Sequence, residues 1–472
     1  MHSKIVVLGG GPGGYAAGFM AADLGMDVTL VEADTRLGGT CLLRGCIPSK
    51  ALLHVAKVVS EAQEMADWGI EFAKPKVKID ALRARKEKVI DMLTGGLKQL
   101  AKQRKVRVIQ ARGVFENSQM LRLEGGDKTT RTDDTLTFDY CILATGSVPA
   151  KIPAFDLKSD RVMDSTGALE LPDVPESLLV VGGGYIGLEM GTVYAEIGSK
   201  VSVVELTPGL LPGADRDLVK PLHKRLEKHF AGIYLNTKVK SLVDKKEAIE
   251  VTFEAAGGER KEQYSRVLVS VGRKPNSAGI GLEKTAVKVD QRGFVQVDRQ
   301  QRTGDPHIFA IGDVAGEPML AHKASHEGKV AAEVIHGANI AFQPLAIPAV
   351  VFTDPEIAWA GLTEEQATRD QIEVEIARYP WAASGRAVSL GRTEGMTKLL
   401  FEPETERLLG IGIVGPSAGD LISEGALAIE MGCTARDLAE VIHPHPTLSE
   451  TLCFAAETQL GFATEIYKPK RG

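Results

Sequence analysis

The sequence lacks the features of a membrane or nucleic-acid-binding protein. No apolar run reaches the roughly 18 residues that a membrane-crossing helix needs. The formal net charge is −6 at pH 7, whereas a nucleic-acid surface needs a basic face. The chain begins directly with an apolar stretch that predicts a strand, Ile5–Leu8, so we expect no signal peptide. The basic residues at 468–471 are expected to form a solvated terminus rather than a binding arm.

Cysteine is also scarce, with five in 472 residues. So few cysteines do not form the disulfide framework of a secreted protein. Cys141, Cys433 and Cys453 are scattered, so no second pair is available for a zinc site, and Cys141 is expected to lie in a core. The remaining pair, Cys41 and Cys46, is five positions apart. A reducing compartment such as the cytoplasm suits a pair that cycles between thiol and disulfide.

The setting of this pair favours redox chemistry. A helical pattern follows Cys46, and a helix N-terminus lowers the pKa of a nearby thiol. A basic side chain, Arg44 or Lys50, would act in the same direction. The alternatives are two small hydrophobic residues at the start of a helix, or a zinc site.

A disulfide between residues at this spacing cannot form on a regular helix. The first turn must therefore be bent, and Gly45 and Pro48 can supply the bend. A bridge held in an imposed geometry is labile, as a catalytic disulfide must be.

One dinucleotide-binding pattern occurs twice in the chain. In the first copy, Gly9, Gly11 and Gly14 follow a strand, precede a helix and are followed by Glu32 at the end of the next strand. The second copy has the same spacing throughout: Gly182, Gly184, Gly187 and Glu205. A tight turn with a solvated glutamate is the alternative interpretation. Two copies predict two dinucleotides, one held tightly beside the cysteines and one that comes and goes.

The second copy favours NAD over NADP. Glu205 ends its second strand, and no arginine occurs in Leu206–Gly209. A carboxylate at this position accepts hydrogen bonds from a free ribose hydroxyl and repels a 2′-phosphate.

A histidine near the C-terminus is the candidate base. Pro444 and Pro446 flank His445, so its backbone is rigid. Dithiol chemistry needs a base that titrates near neutrality, and Glu450 could orient the imidazole and stabilise its cation. A structural histidine in a turn is the alternative.

Four motifs in order resemble the FAD-dependent pyridine nucleotide-disulfide oxidoreductases of class I, over residues 4 to about 460. They are Gly38–Lys50, Gly182–Glu189, Thr303–Asp313 and His443–Glu450. The ending Ile47–Lys50 is most similar to the members that oxidise dihydrolipoyl groups. Family members often have alanine at the position of Pro444, a departure that concerns the neighbour of the base.

The resemblance implies an α/β fold with two Rossmann-like dinucleotide-binding domains, for FAD and NAD, and a C-terminal α+β dimerisation domain. A length of 472 residues independently predicts about three domains. The predicted segments are an FAD-binding domain (first part) at 1–148, an NAD-binding domain at 149–275, a central domain completing the FAD site at 276–346 and a dimerisation domain at 347–472.

The reaction that the resemblance implies is oxidation of dihydrolipoyl groups by NAD+. His445 takes a proton from the substrate dithiol, the substrate thiolate attacks Cys41, and the second thiol resolves the mixed disulfide. Cys46 remains as a thiolate beside FAD and passes on the electron pair. The implied partners are lipoyl domains of a 2-oxo acid dehydrogenase or glycine cleavage complex. The implied assembly is a homodimer whose active sites are shared, with His445 supplied by the other chain.

The resemblance also assigns site residues. The implied catalytic residues are Cys41, Cys46, Lys50, Glu189, His445 and Glu450. Glu189 is expected to pair with Lys50 at the nicotinamide site, a solvated glutamate being the alternative. The implied cofactor-binding residues are Gly9, Gly11, Gly14, Glu32, Gly39, Thr40, Lys50, Gly113, Thr145, Gly146, Ser147, Gly182, Gly184, Tyr185, Ile186, Gly187, Glu189, Glu205, Val239, Gly272, Asp313, Met319, Leu320, Ala321 and His322. His322 is placed near the flavin without a catalytic role, and no metal ligand is assigned.

Rival functions share parts of this pattern. A mercuric reductase would carry an adjacent cysteine pair at the C-terminus, where Cys453 stands alone. A glutathione reductase is disfavoured by Ser49–Lys50 and by Glu205. A non-catalytic flavoprotein scaffold needs neither the cysteine pair nor His445, and a redox-sensing binding protein needs no second nucleotide site.

Overall fold

The structure is a computed structural model that describes residues 1–125 and 134–467. Its fold class is the predicted one: two parallel-sheet units that each carry a glycine turn, followed by a C-terminal α+β unit. The polar stretch at 124–135, whose composition predicts a hairpin-like loop, falls largely in the gap between the two ranges, and the basic tail at 468–471 lies outside them. In the part of the chain that the structure describes, no helix is both long and apolar enough to cross a membrane.

The first unit is built on a seven-stranded sheet with the order β3-β2-β1-β6-β5-β4 and β17 paired to β6. Strands β1, β2, β3, β6 and β17 run parallel, and helices connect β1 to β2 and β2 to β3. Its elements are β1 His2–Leu8, α1 Pro12–Asp23, β2 Val28–Glu32, α2 Gly39–Arg44, α3 Cys46–Glu64, a 3₁₀ turn Met65–Trp68, α4 Ile79–Gln103, β3 Arg107–Gln110, β4 Arg112–Asn117, β5 Met120–Glu124, β6 Asp134–Leu143 and β7 Ser147–Pro149.

The second unit repeats the strand–turn–helix plan. Its five-stranded parallel sheet has the order β11-β10-β9-β15-β8, and an antiparallel sheet β12-β13-β14 is inserted before β15. Its elements are a 3₁₀ turn Pro153–Phe155, β8 Val162–Met163, α5 Ser165–Leu169, β9 Ser177–Val181, α6 Tyr185–Ile197, β10 Lys200–Val204, α7 Arg216–His229, β11 Gly232–Tyr234, β12 Lys238–Asp244, β13 Ile249–Ala255, β14 Gly258–Tyr264, β15 Arg266–Val269 and β16 Arg273–Pro275.

A central segment then returns to the first sheet. Its elements are a 3₁₀ turn Leu282–Lys284, β17 Ile308–Ala310, a 3₁₀ turn Gly312–Val314 and α8 Ala321–His336. Helix α8 packs closely on α1: a Cβ at Gly328 would lie 2.6 Å from the carbonyl oxygen of Gly13. The glycines therefore let the two helix backbones touch, which brings the turn at Gly312 beside the glycine turn of the first unit.

The C-terminal unit is an antiparallel sheet with the order β18-β19-β22-β21-β20, covered by helices. Its elements are β18 Ala349–Val351, β19 Glu356–Gly361, α9 Glu364–Asp370, β20 Glu375–Pro380, a 3₁₀ turn Trp381–Ala383, α10 Gly385–Ser389, β21 Met396–Phe401, β22 Leu408–Gly415, α11 Ala418–Glu430, α12 Ala435–Glu440 and α13 Glu450–Leu460. Its core is separate and includes the fully buried Trp381 and Tyr379.

The strands predicted from short apolar runs are present, with boundaries that shift by a few residues. Cys141 is fully buried in the first sheet, as predicted. The apolar run Val267–Val271 predicts a strand, and the strand in the structure ends at Val269. The predicted domain boundaries stay a prediction.

Candidate active site

A cleft of about 570 Å³ lies against the first glycine turn. It is lined by residues of the first unit, the central segment and the start of α6. The predicted cofactor and catalytic residues on its walls are Gly9, Gly11, Glu32, Gly39, Thr40, Cys41, Cys46, Lys50, Gly113, Thr145, Gly146, Ser147, Tyr185, Ile186, Glu189, Asp313, Met319 and Ala321. The cleft therefore brings together both cysteines, the first acid and parts of three other motifs.

The cleft fits a long dinucleotide such as FAD. Helix α1 begins without a side-chain cap, so its first amides are free to bind a phosphate. Gly39 has a φ of +57°, and a Cβ there would lie 2.6 Å from the Cα of Gly11. Two stretches of bare backbone thus meet at the wall, which is the surface that a pyrophosphate approaches.

The two acids at the strand ends have the same local structure. Glu32 accepts hydrogen bonds from the amides of Gly10 and Asp34, at 2.6 and 2.8 Å. Glu205 accepts from the amides of Gly183 and Thr207, at 2.7 and 2.8 Å. Each carboxylate uses only part of its acceptor capacity in this way, so it can still accept from ribose hydroxyls.

The cysteines stand on either side of a break between two helices. Cys41 lies in α2, Cys46 is the first residue of α3, and Gly45 separates them with φ −147° and ψ −112°. The predicted bend is therefore at Gly45, whereas Pro48 lies inside the first turn of α3. Both cysteines are free thiols that line the cleft.

The two thiols differ in acidity. A hydrogen bond from Cys41 lowers the pKa of Cys46 to about 7, and the charge of Lys50 acts in the same direction against burial. The same hydrogen bond and burial raise the pKa of the Cys41 thiol well above its usual range. Cys46 is therefore the thiolate of the pair near neutral pH.

Lys50 forms the predicted ion pair with Glu189. Its Nζ lies 2.8 and 3.1 Å from the two carboxylate oxygens. Glu189 is buried and also accepts a hydrogen bond from the amide of Phe352 at 3.0 Å, and the ammonium lies 4.4 Å from the centre of the Phe352 ring. The ammonium is thus fixed on the face of α3 that follows Cys46.

Arg44 does not act on the cysteines. Its guanidinium forms an ion pair with Asp34, and both side chains line the cleft. Of the two cations considered from the sequence, Lys50 is the one that stabilises the Cys46 thiolate.

The turn at Gly312–Asp313 on the cleft wall is held by polar contacts that are buried or partly buried. Asp313 accepts a hydrogen bond from the Ser147 hydroxyl at 2.5 Å, and Arg273 Nε donates to the same hydroxyl at 2.7 Å. Glu327 accepts from the amide of Gly312 at 2.7 Å and pairs with Lys323 at 2.8 Å. Arg273 thereby connects the end of the second unit to the wall of the cleft.

His445 lies apart from this cleft. Its Nδ1 is 2.8 Å from Glu450 Oε1, and the second carboxylate oxygen accepts from the amide of Thr447 at 2.8 Å. The His445 side chain is 77% exposed, whereas that of Glu450 is 10% exposed. A buried carboxylate therefore orients an imidazole that faces outward.

Several predicted cofactor residues do not line the cleft. They are Gly14, Gly182, Gly184, Gly187, Glu205, Val239, Gly272, Leu320 and His322. Val239 packs in the core between β12 and β13. The His322 ring is hydrogen-bonded through Nε2 to the carbonyl oxygen of Pro348, at 2.8 Å. Burial lowers the pKa of His322.

Other lining residues escaped the sequence analysis. Arg112, Arg273, Asn276 and Asp34 all face the cleft. Asn276 bonds to Thr145 from a position far along the chain, so no local pattern reveals it. Asp34 follows the predicted acid Glu32 so closely that a second carboxylate there was a usable signal.

The chain matches known families over most of its length. The model of the family described as pyridine nucleotide-disulphide oxidoreductase matches residues 3–328. The dimerisation domain of the same description matches residues 347–456.

Named relatives match over the full length. The chain is 49% identical to the dihydrolipoyl dehydrogenase of Vibrio cholerae over 471 residues, which is 100% of this chain and 98% of the relative. It is 44% identical to the dihydrolipoyl dehydrogenase of Geobacillus stearothermophilus over 466 residues, or 99% and 98% of the two chains.

Solved structures share the fold. The crystal structure of LpdA from Mycobacterium tuberculosis has a TM-score of 0.89 at 27% identity, covering 97% of this chain and 99% of that chain. The copper(II) complex of the flavoprotein disulfide reductase RclA from Escherichia coli has a TM-score of 0.86 at 26% identity, covering 97% and 99%.

Proposed function

Because the chain belongs to the pyridine nucleotide-disulphide oxidoreductase family, we propose that it is an enzyme that oxidises protein-bound dihydrolipoyl groups with NAD+. The observation that carries this proposal is the Cys41–Cys46 pair in a cleft that fits FAD, with the pKa of Cys46 lowered to about 7. Full-length relatives named for the same activity support it.

The chain's own residues carry the dithiol exchange. With Cys41 and Cys46 joined as a disulfide, a substrate thiolate attacks the Cys41 sulfur and releases Cys46 as a thiolate. The second substrate thiol then attacks the sulfur bound to Cys41, so the substrate leaves as a disulfide and the protein holds two reduced cysteines. The low pKa of Cys46 makes it the better leaving group.

Lys50 and Glu189 support the thiolate. The ammonium stabilises the charge of Cys46, and Glu189 with Phe352 holds the ammonium in place. When bound, FAD supplies two-electron transfer from this thiolate to NAD+. Gly9, Gly11 and Glu32 would hold its adenosine half, while Ser147 and Asp313 would meet its central part. Gly182, Gly187 and Glu205 would hold NAD+.

His445 is the proposed base for the substrate dithiol. It is exposed and oriented by Glu450, and it is absent from the cleft walls within the described residues. The chain carries a dimerisation domain and forms a homodimer. His445 of one chain would therefore serve the cleft of its partner.

The remaining assignments follow from this activity. The partners would be lipoyl domains of a 2-oxo acid dehydrogenase or glycine cleavage complex, in the cytoplasm. The four segments 1–148, 149–275, 276–346 and 347–472 would serve FAD, NAD, FAD again and dimerisation.

An assay with free dihydrolipoamide tests the proposal. The purified protein should be yellow, should keep FAD after desalting and should reduce NAD+ much faster than NADP+. A folded protein that takes up no FAD would overturn the proposal. Equal rates of NAD+ reduction by the unaltered protein and by the Cys46→Ser variant would also overturn it. Glutathione disulfide with NADPH serves as the control for the rival reductase.

A further inference from the structure

The two glycine units match closely until just beyond the acid that both copies of the repeat carry. Glu32 and Glu205 each hold a glycine-turn amide and the amide two residues later. At that later position the first unit has Asp34 and the second has Thr207. Only the first therefore offers a second carboxylate at the ribose end of its nucleotide site.

Asp34 has a dedicated cation. Arg44, the last residue of α2, pairs with it on the wall of the cleft. The charge of Arg44 also reaches Glu32: burial raises the pKa of that carboxyl, while backbone hydrogen bonds and Arg44 lower it. An anionic cofactor would be repelled by two carboxylates. The guanidinium offsets this negative charge at the ribose end of the first nucleotide site.

The other cations on the cleft walls are engaged elsewhere. Lys50 pairs with Glu189 and Arg273 bonds to Ser147. Arg112 donates to the carbonyl of Gly279 at 2.7 Å. Among the described residues that line the cleft, Arg44 is thus the cation that stands with Glu32 and Asp34.

We propose that Arg44, aimed by Asp34, binds the ribose–diphosphate half of FAD and makes the first nucleotide site tighter than the second. This inference rests on the proposed function, in which FAD stays bound and NAD+ exchanges. A guanidinium presents several donors in a planar fork that suits phosphate oxygens. The first site gains this contact because α2 follows it, whereas the second unit has no ion pair at Thr207.

FAD binding to the apoprotein tests the assignment. Arg44→Met should weaken FAD binding about tenfold or more, as expected for the loss of a charge-assisted hydrogen bond. Arg44→Lys should weaken it less and keep more of its salt dependence, because the charge remains without the fork. Arg36→Met is the matched control: Arg36 lies in the loop between Asp34 and α2 but pairs with Asp91 on the surface, at 2.9 Å. The FAD dissociation constant of Arg36→Met should lie within about twofold of that of the unaltered protein.

Two further readouts separate this role from others. The NADH dissociation constant should be the same in all variants, and the pH midpoint of Cys46 ionisation should not move in the FAD-loaded Arg44→Met protein. Equal FAD affinity in Arg44→Met and Arg36→Met, or a moved Cys46 midpoint with unchanged FAD affinity, would overturn the inference.

The outcomes remain distinct if a variant misfolds. Far-UV circular dichroism of each apoprotein checks folding. If Arg44→Met does not fold, Arg44→Lys decides alone, and FAD affinity equal to that of the unaltered protein contradicts the assignment. An unaltered protein that binds no FAD would instead sink the proposed function itself.

Discussion

At the scale of single residues, the two cysteines are chemically unequal because of what surrounds them. Cys46 receives a hydrogen bond from Cys41 and the charge of Lys50, and its pKa falls to about 7. Glu189 acts in the opposite direction but holds Lys50 in place. The thiolate is therefore stabilised by the Cys41 hydrogen bond and by one ammonium whose position is fixed by a buried carboxylate.

This dependence predicts a shift in pH response. In the reduced, FAD-loaded protein, the long-wavelength absorbance of a thiolate beside flavin should appear as pH rises through about 7. Lys50→Met removes a charge that favours the thiolate, so the midpoint should move to higher pH. The absorbance should survive in Cys41→Ser and vanish in Cys46→Ser. If the pH midpoint of the absorbance is unchanged in Lys50→Met, Lys50 does not act on Cys46.

Nucleotide preference is also set by single residues. Glu205 is nearly buried and shapes its turn through two amides, whereas the neighbouring Leu206 is 67% exposed. A positive charge at Leu206 can meet a 2′-phosphate without removing those bonds. Leu206→Arg should therefore raise kcat/KM for NADP+, and Glu205→Gln added to it should raise it further. Steady-state kinetics with both nucleotides check this, and an unchanged ratio would mean that this strand end does not face the ribose.

At the scale of elements, a buried lysine ties the second unit to the C-terminal unit. Lys398 of β21 is fully buried and lies 2.6 Å from Asp215, 2.7 Å from Asp217 and 3.1 Å from Glu364. These acids stand at the starts of α7 and α9. The three carboxylates could hold a metal ion by their spacing, but the ammonium already sits among them.

Removing this ammonium should be costly. Lys398→Met leaves three carboxylates without their shared partner and should lower the free energy of unfolding by about 3–5 kcal/mol. Lys240→Met removes an exposed pair with Glu259 that solvent screens, so its unfolding midpoint should stay close to that of the unaltered protein. Denaturant unfolding of both variants measures the difference. Equal midpoints for the two would contradict the account of this junction.

How far the sequence predicted these elements depends on the range of the interactions. The strands and helices around Gly9 and Gly182 follow from local signals: short apolar runs, glycine turns and a terminal acid. The Lys398 cluster joins residues that are far apart in the chain. The local sequence of its strand does not indicate that the lysine is buried among carboxylates. The pairing of Arg44 with Asp34 was missed for a different reason: the two residues are close in the chain, but the proximity of Arg44 to the cysteines favoured a role in thiol chemistry.

At the scale of the whole molecule, the proposed catalytic groups of one chain lie in two places. His445 is not among the described residues that line the cysteine cleft. Its side chain is exposed in the dimerisation unit instead. The same unit exposes apolar side chains, including Ile442 at 96%, just before His445 in the chain, and Met431 at 72%. A face of this kind is covered when two chains associate. The sequence motifs identified both places, but only the structure shows that they are separate surfaces of one chain.

The central claim is that each active site combines cysteines of one chain with His445 of the other. Cys41→Ala and His445→Ala proteins should each be nearly inactive as homodimers. Co-expression with different tags yields mixed dimers, in which one site carries both defects and the other carries none. Dihydrolipoamide–NAD+ activity of purified mixed dimers should return to about half that of the unaltered dimer. Mixed dimers with no more activity than the parent variants would contradict the shared site.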